Sequence, residues 1–363
     1  MFIESPPLPI NTIIKLSMKN IHRFVYSPVT LNQEWSTLGR LLFIVLCSSL
    51  GTVINGFFFA AFFVEHTLKR IGNVFMACVG LSDMILTTAV MPTAAVVLLS
   101  GEWDTLPVCQ VLQFLTEAST YSYSLFFMLA STENYFKLCR SSPEYEMFIN
   151  MRIGLVSILV FLVSIIAAGA GVVLELDYDY CQRRHHGNDT FRTTTFIIFY
   201  GIPFIVTVSS LISTSLFIHR RSRKHSYYRR SQQYERDFSM CSLNIVGYLI
   251  FVLGWIPYLV IVREFPDTSD SRFYHCVWVG VFRSMITSFL YSTLNKSFRS
   301  AFSQLFYYCC CKSTLTGSFH SRHRRVVEFK STPGEVRVHI MHQAMNINSP
   351  QRVASSTRET QEL

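Results

Sequence analysis

Several stretches of this chain run for more than about 18 residues with few or no charges, long enough to cross a bilayer as a helix. The clearest is residues 39–64, GRLLFIVLCSSLGTVINGFFFAAFFV. Half of the 363 residues are apolar and 15% are charged, and the mean hydropathy is +0.31. Such a mean excludes an ordinary soluble domain of this length. Spans are expected at about 39–64, 73–99, 109–139, 153–174, 194–218, 238–262 and 273–294. They predict an all-α fold, a seven-transmembrane helix bundle. Residues 1–38 read as a weakly structured N-terminal segment, and 39–295 as the bundle. Residues 296–311 read as a short amphipathic helix ending in cysteines, and 312–363 as a polar, disordered tail. No compact apolar leader with a small-residue cleavage site is read at the N-terminus.

The third span organises the others. From Cys109 to Asn134 is 25 residues, roughly 38 Å of helix, enough to cross a bilayer with tilt. It carries Thr116, Glu117, Ser119, Thr120, Ser122, Ser124 and Ser131, too many polar groups for a helix facing lipid all round. It therefore belongs at the centre of the bundle. Asp83 and Arg283 are further charges inside spans, in the second and the seventh.

Charge sets which way up the chain sits. The connectors after spans one, three and five hold twelve Lys and Arg, seven of them within 219–237, against five in the other three connectors. This places the N-terminus outside and the tail in the cytoplasm, although Lys15, Lys19 and Arg23 pull the other way. The formal charge of +9 lies beside apolar spans, which points to the inner membrane surface and its lipids rather than to nucleic acid. On this assignment Asn188-Asp189-Thr190, a glycosylation sequon, is outside.

Ten cysteines at these positions do not form a disulfide scaffold, and no C-x-x-C pair has zinc spacing. His185 and His186, with Asp177 and Asp179, meet no metal-ligand spacing and read as a solvated loop. No nucleotide-binding glycine loop or nucleophile elbow is present, so an enzyme, a resident metal and a cofactor are not expected. The residues Ser297 to Phe306 present Phe298, Phe302, Leu305 and Phe306 at helical spacing. Cys309, Cys310 and Cys311 follow, placed as juxtamembrane palmitoylation sites.

Over about 39–311 the chain resembles the rhodopsin-like (class A) G-protein-coupled receptors. The resemblance rests on Asn55, Asp83, Trp103, Cys109 opposite Cys181, Pro203, Trp255-Ile256-Pro257, and Tyr291 to Arg299, in that order along the spans. There are departures. Where the family ends span three with an acid, arginine and tyrosine, this chain has Glu133-Asn134-Tyr135. The Asn-Pro of span seven is absent, with Thr287 to Tyr291 in its place, and the tyrosine expected in span five is Leu211. The tryptophan usual in span four is also missing.

The resemblance implies a plasma-membrane receptor for an extracellular small molecule or peptide. It implies a Cys109–Cys181 disulfide, with Trp255 at the floor of a ligand pocket that also takes in Thr116, Glu117, Thr120, Tyr121 and Tyr258. Thr116 stands where amine receptors carry aspartate, so an amine ligand requires Glu117 to substitute; the other reading of Glu117 is a buried acid paired across helices. Val281 stands where opsins carry the retinal lysine, which excludes a Schiff base. A heterotrimeric G protein and an arrestin-like protein are the implied inner partners, the first facing Glu133, Asn134, Tyr135, Asp237 and Tyr291. With arginine absent at Asn134 the inner lock, with its acids Glu133 and Asp237, is expected to be weak unless Lys137 or Arg236 takes over. An alternative then stays open: a seven-helix scavenger or heteromer partner that does not couple. A transporter would use the same buried charges, but paired broken helices are missing. Finally, Arg283 is expected to pair with Asp83, the alternatives being Glu117 or internal water.

Overall fold

The computed structural model describes residues 26–31, 37–64, 71–100, 103–140, 143, 145, 152–185, 188–264 and 269–310. These residues form seven long helices and one shorter one. Helix α1 is Thr37–Val64. Helix α2 is Ile71–Ile85, continued through the π turn Leu86–Val90 into Met91–Ser100. Helix α3 is Leu106–Cys139 and α4 is Ile153–Val173. Helix α5 is Asp189–Phe196, continued through the π turn Ile197–Gly201 into Ile202–Lys224. Helices α6, α7 and α8 are Gln232–Glu264, Asp270–Leu294 and Lys296–Cys310. Between α4 and α5 lies an antiparallel hairpin of two short strands, β1 (Tyr178–Asp179) and β2 (Arg184–His185). The chain divides into two units, Met1–Leu305 and Phe306–Leu363. The first holds the bundle; of the second, Phe306 to Cys310 are described.

Both π turns are written in proline. A proline lacks the N–H that would close the turn before it. Pro92 follows Leu86–Val90 by two residues, and Pro203 follows Ile197–Gly201 by two. The Thr87 carbonyl accepts instead from Ser48 Oγ at 2.8 Å and Thr52 Oγ1 at 3.2 Å, both on α1. The sequence defect in α2 thus becomes a hydrogen-bonded joint with α1.

Helix α3 packs against α2, α4 and α5 and buries Ser119, Thr120, Ser122 and Ser124. Ser82 and Ser122 share a 2.9 Å hydrogen bond, and Ser119 donates to the Ser82 carbonyl at 2.7 Å. The polar side chains of α3 are therefore satisfied inside the protein, as a dry interior requires. Five of the long helices are apolar enough to cross a membrane: α1, α2, α4, α5 and α6. The other two, α3 and α7, carry their polar groups inward. Helix α4 shows the opposite face, with Leu155, Ile158, Leu159, Leu162 and Ile166 exposed. A strip of that length is a lipid-facing surface.

Two stretches are more ordered than the sequence reading expects. Pro28–Leu31 forms a helical turn with Val29 buried. It is held because Asp104 accepts from the Ser27 N–H at 2.8 Å and from Thr30 Oγ1 at 2.8 Å, while buried Arg40 donates to the Val29 carbonyl. Helix α5 begins at Asp189, five residues before the expected start, because Asn188 Oδ1 accepts from the Phe191 N–H and caps it. The expected tail, 312–363, lies outside the described residues.

Candidate functional site

At the end of the bundle that carries the hairpin, a cavity of about 60 Å³ opens between α3, α5, α6 and the hairpin. That is room for roughly two water molecules. Its walls are Glu117 and Tyr121 from α3, Asp177 and Tyr178 from the hairpin segment, Arg192, Thr195, Phe196 and Tyr200 from α5, and Tyr258, Leu259, Val262 and Arg263 from α6. Tyr121 stacks on Phe199 with centroids 4.3 Å apart and meets Tyr200 edge-on. The Arg263 guanidinium lies 5.1 Å from the Phe196 ring centre, so it bridges α6 to α5 beside the cavity.

The hairpin is fixed over α3 by several bonds. Cys109 and Cys181 form a disulfide with their Cα atoms 5.9 Å apart. Gln113 Nε2 donates to the Tyr178 carbonyl at 2.7 Å and to Glu117 Oε1 at 2.8 Å. Tyr180 donates to the Cys109 carbonyl, and Asp179 Oδ1 accepts from the Cys181 and Gln182 N–H groups. Burial pushes the Tyr180 phenol well above its ordinary range, with the Glu117 charge next, so it remains a donor. One oxygen of Glu117 is used by Gln113; the other, Oε2, is buried and has no hydrogen-bond partner among the described residues. Asp177 and Asp179 are near enough to act on its charge.

Of the pocket residues expected from sequence, Glu117, Tyr121 and Tyr258 line this cavity and Thr116, Thr120 and Trp255 do not. The two threonines return their hydroxyls to their own helix, bonding the Leu112 and Thr116 carbonyls at 2.7 Å. Trp255 is buried behind Tyr258, edge-on at 5.7 Å, and lies against Gly280, where any Cβ would come within 2.8 Å of the indole. Asp177, Arg192, Tyr200 and Arg263 belong to the cavity without having been selected as ligand contacts. For Asp177, Arg192 and Arg263 the signal available was charge at the span ends facing the hairpin; Tyr200 offered none.

Midway along the bundle, Arg283 of α7 meets Asp83 of α2. Nη2 lies 2.9 Å from Oδ1, and Nη1 donates to Oδ2 at 3.4 Å. The shorter contact is ionic without hydrogen-bond alignment, since neither of its atoms has a hydrogen-bond partner. Both side chains are at most 2% exposed. The guanidinium also lies 4.2 Å from the Tyr123 ring centre on α3 and 4.9 Å from that of Phe251 on α6. Four helices therefore converge on one cation, and desolvated contacts of this kind are worth about 2 kcal/mol each. Gly254 makes space for it, since a Cβ there would stand 3.0 Å from Arg283 Cγ. Asn55 completes the layer, donating to the Ser284 carbonyl at 3.2 Å.

At the opposite end, α3 carries Glu133, Asn134 and Tyr135. Glu133 accepts from the Tyr145 hydroxyl at 3.0 Å, and Asp237 of α6 accepts from the Tyr228 hydroxyl at 3.1 Å. Each acid is thus held by a tyrosine from a connector. Burial, then the Asp237 carboxylate, pushes the Tyr228 phenol up to about 12, so it donates at neutral pH. Asn134 Nδ2 is buried without a hydrogen-bond partner among the described residues. Tyr291 is 1% exposed and donates to Asn244 Oδ1 on α6 at 2.5 Å, so it faces the core, not an exposed face. Asn188 is exposed. Cys309 is exposed too, the Cys310 side chain is not described, and Cys311 lies outside the described residues.

Residues 54–295 match the family model described as 7 transmembrane receptor (rhodopsin family). The chain belongs to the rhodopsin family of seven-transmembrane receptors. It is a multi-pass membrane protein, and the family is one of receptors, not enzymes. Among rhodopsin-family relatives, it is 19% identical to the pyroglutamylated RF-amide peptide receptor of Rattus norvegicus, over 93% of this chain and 84% of that one. It is 19% identical to the histamine H2 receptor of Cavia porcellus over 75% of this chain and 79% of the relative. For the Rattus norvegicus histamine H2 receptor the figures are 21%, 67% and 72%. Among solved structures, squid rhodopsin superposes with a TM-score of 0.61 at 17% identity, covering 81% of this chain and 91% of that one. That likeness is one of fold.

Proposed function

We propose that this rhodopsin-family chain is a plasma-membrane receptor for a ligand bearing a cationic group, bound in the cavity between α3, α5, α6 and the hairpin. The observation that carries the reading is Glu117: one carboxylate oxygen held by Gln113, the other buried without a partner, beside Tyr121, Tyr200 and Tyr258. A desolvated carboxylate among aromatic faces attracts an ammonium or guanidinium group by ion pairing and cation–π contact. The relatives are named for histamine and for an RF-amide peptide; a ligand of either size presenting such a group would meet Glu117. The cavity takes a head group, and a larger ligand displaces the Arg263–Phe196 contact at its side. Tyr258 touches Trp255, which links the cavity to the interior of α6.

In this reading the hairpin end faces the outside and the α8 end the cytoplasm, as the distribution of Lys and Arg favours. Asn188 is then a glycosylation site, and Cys309 to Cys311 anchor α8 by palmitoylation. A heterotrimeric G protein, and an arrestin-like protein after it, meet the end formed by Glu133, Asn134, Tyr135 and Asp237. Tag antibodies on intact cells test the orientation: an N-terminal tag should be reached and a C-terminal one should not. Thermal stabilisation of the purified receptor by a panel of aromatic amines and arginine-containing peptides tests the ligand class. Hits drawn from neutral and anionic compounds alone would sink the cationic assignment.

A specific observation also favours a second reading. Asn134 carries no charge to pair with either neighbouring acid, and its amide nitrogen has no hydrogen-bond partner among the described residues, so the arginine contact the family makes from this position is not made by Asn134. The chain would then bind ligand or another receptor without coupling. Nucleotide exchange on G proteins, measured for the native receptor beside Asn134→Arg, separates the two: robust native exchange removes the second reading.

A further inference from the structure

The cavity between α3, α5, α6 and the hairpin is not lined by one sign of charge. Its acids, Glu117 and Asp177, come from α3 and the hairpin segment; its guanidiniums, Arg192 and Arg263, come from α5 and α6. The two acids lie together: a Cβ on Gly171 of α4 would stand 3.3 Å from Asp177 Cβ and 3.7 Å from Glu117 Oε2. The two arginines sit at helix ends. Arg192 is in the first turn of α5, which begins at Asp189, and Arg263 is in the last turn of α6, which ends at Glu264. Glu117 lies deeper, roughly three turns inside α3 from its start at Leu106. Each arginine also has a contact of its own. Arg263 rests on the Phe196 ring at 5.1 Å. Arg192 reaches Asp189 through Nη2 at 2.9 Å, but that acid's side chain is 81% exposed, and an ion pair so exposed is weak. A guanidinium carries its N–H donors in a planar fork, so it can take an anion while keeping such a contact.

We propose that the ligand of this cavity is a zwitterion, with an ammonium or guanidinium group held by Glu117 and a carboxylate held by Arg192 and Arg263. The inference rests on the reading of Glu117 as the cation's partner and adds a second recognition point to it. A cavity of about 60 Å³ keeps every part of a bound head group close to walls of both signs. A ligand that is only cationic brings like charge toward two guanidiniums, which repel it. A carboxylate on the same ligand turns that repulsion into charge-assisted hydrogen bonds, and one guanidinium fork matches both carboxylate oxygens at once. Selection then acts from both sides. The arginines disfavour an amine without an acid, and Glu117 with Asp177 disfavours an acid without an amine. Arg192 and Arg263 are thereby specificity-determining residues.

The test measures thermal stabilisation of the purified full-length receptor by matched sets of compounds. Aromatic amines are compared with the amino acids that differ from them by one carboxylate. Arginine-containing peptides with amidated C-termini are compared with the same peptides ending in a free acid. Carboxylic acids lacking the amine complete the aromatic sets. The expected order is zwitterion over amine over acid, with the zwitterion at least tenfold tighter than its amine, as a charge-assisted bond supplies. Arg192→Gln combined with Arg263→Gln should erase that difference. The amine is measured on the same variant, so loss of folded receptor cancels from the ratio. Arg192→Lys combined with Arg263→Lys keeps both charges and should keep the zwitterion ahead. Zwitterions no tighter than their amines on the native receptor, a silent zwitterion set included, overturn the proposal, and so does a glutamine variant that keeps the full ratio. Amines and zwitterions bound equally, with both weakened by Glu117→Gln, leave the cationic reading standing and remove this one. Acids that bind as tightly as zwitterions and are indifferent to Glu117→Gln would instead fail the cationic reading itself.

Discussion

Asp83 and Glu117 are both carboxylates inside the same bundle, and their surroundings are opposite. Asp83 has a guanidinium at 2.9 Å, and that guanidinium has two aromatic rings on it. Glu117 has a neutral amide on one oxygen, no hydrogen-bond partner on the other among the described residues, two further acids nearby and a cavity in front. A buried charge that is matched within the chain fixes architecture. A carboxyl left without a counter-ion beside a cavity is a cost the fold carries until something from outside offsets it. The pair at mid-bundle therefore reads as a joint, and the acid at the hairpin end as a place for a partner.

The comparison breaks most visibly at the joint. We predict that Arg283→Leu destabilises by about 3–5 kcal/mol, because it leaves Asp83 buried and unpaired. Asp83→Arg combined with Arg283→Asp should recover part of the surface expression either single change loses. A double variant no better than the worse single one would show that the pair is not a unit. With the cation supplied by the chain itself, stability should also be indifferent to replacing sodium with a bulky cation in the buffer. A sodium-dependent melting temperature would contradict that.

A smaller effect is expected from Gly254→Ala. The new Cβ would press on the Arg283 stem, and overpacking of this kind costs about 1–3 kcal/mol. The loss should shrink in an Arg283→Ala background, where the contacts with Cγ and Cδ are gone; additive losses in a double-mutant cycle would separate Gly254 from the joint. The smallest stability effect is expected at Glu117. Glu117→Gln keeps the shape and replaces a carboxyl that has no counter-ion, so we predict a change within about 1 kcal/mol, of either sign. Its binding effect should be large by contrast: cationic ligands lose roughly 10- to 100-fold, the range of one charge-assisted hydrogen bond. Severe misfolding of Glu117→Gln, with Arg283→Leu tolerated, would invert the comparison.

Much of the fold was legible because lipid removes choices. Apolar runs longer than about 18 residues must be helices there, since each backbone group needs an internal partner. The run lengths predicted seven rods, but the irregular turns ahead of Pro92 in α2 and Pro203 in α5 were not among the expectations. The Asp83–Arg283 contact was expected because two buried opposite charges have few other partners at that depth. What the sequence could not decide is which hydroxyls and acids face a cavity. Thr116 and Thr120 are one helical turn apart on the expected face, yet each satisfies itself on its own helix. Tyr291 was expected to face a G protein, and in the packed bundle it is buried and bonded to Asn244. Arg192, Arg263 and Asp177 come from α5, α6 and the hairpin segment and share one cavity only in the packed bundle. Periodicity and hydropathy are local properties, so the sequence alone determined the helices. Side-chain partners depend on contacts between residues distant in sequence, and those were decided by the packing of the bundle.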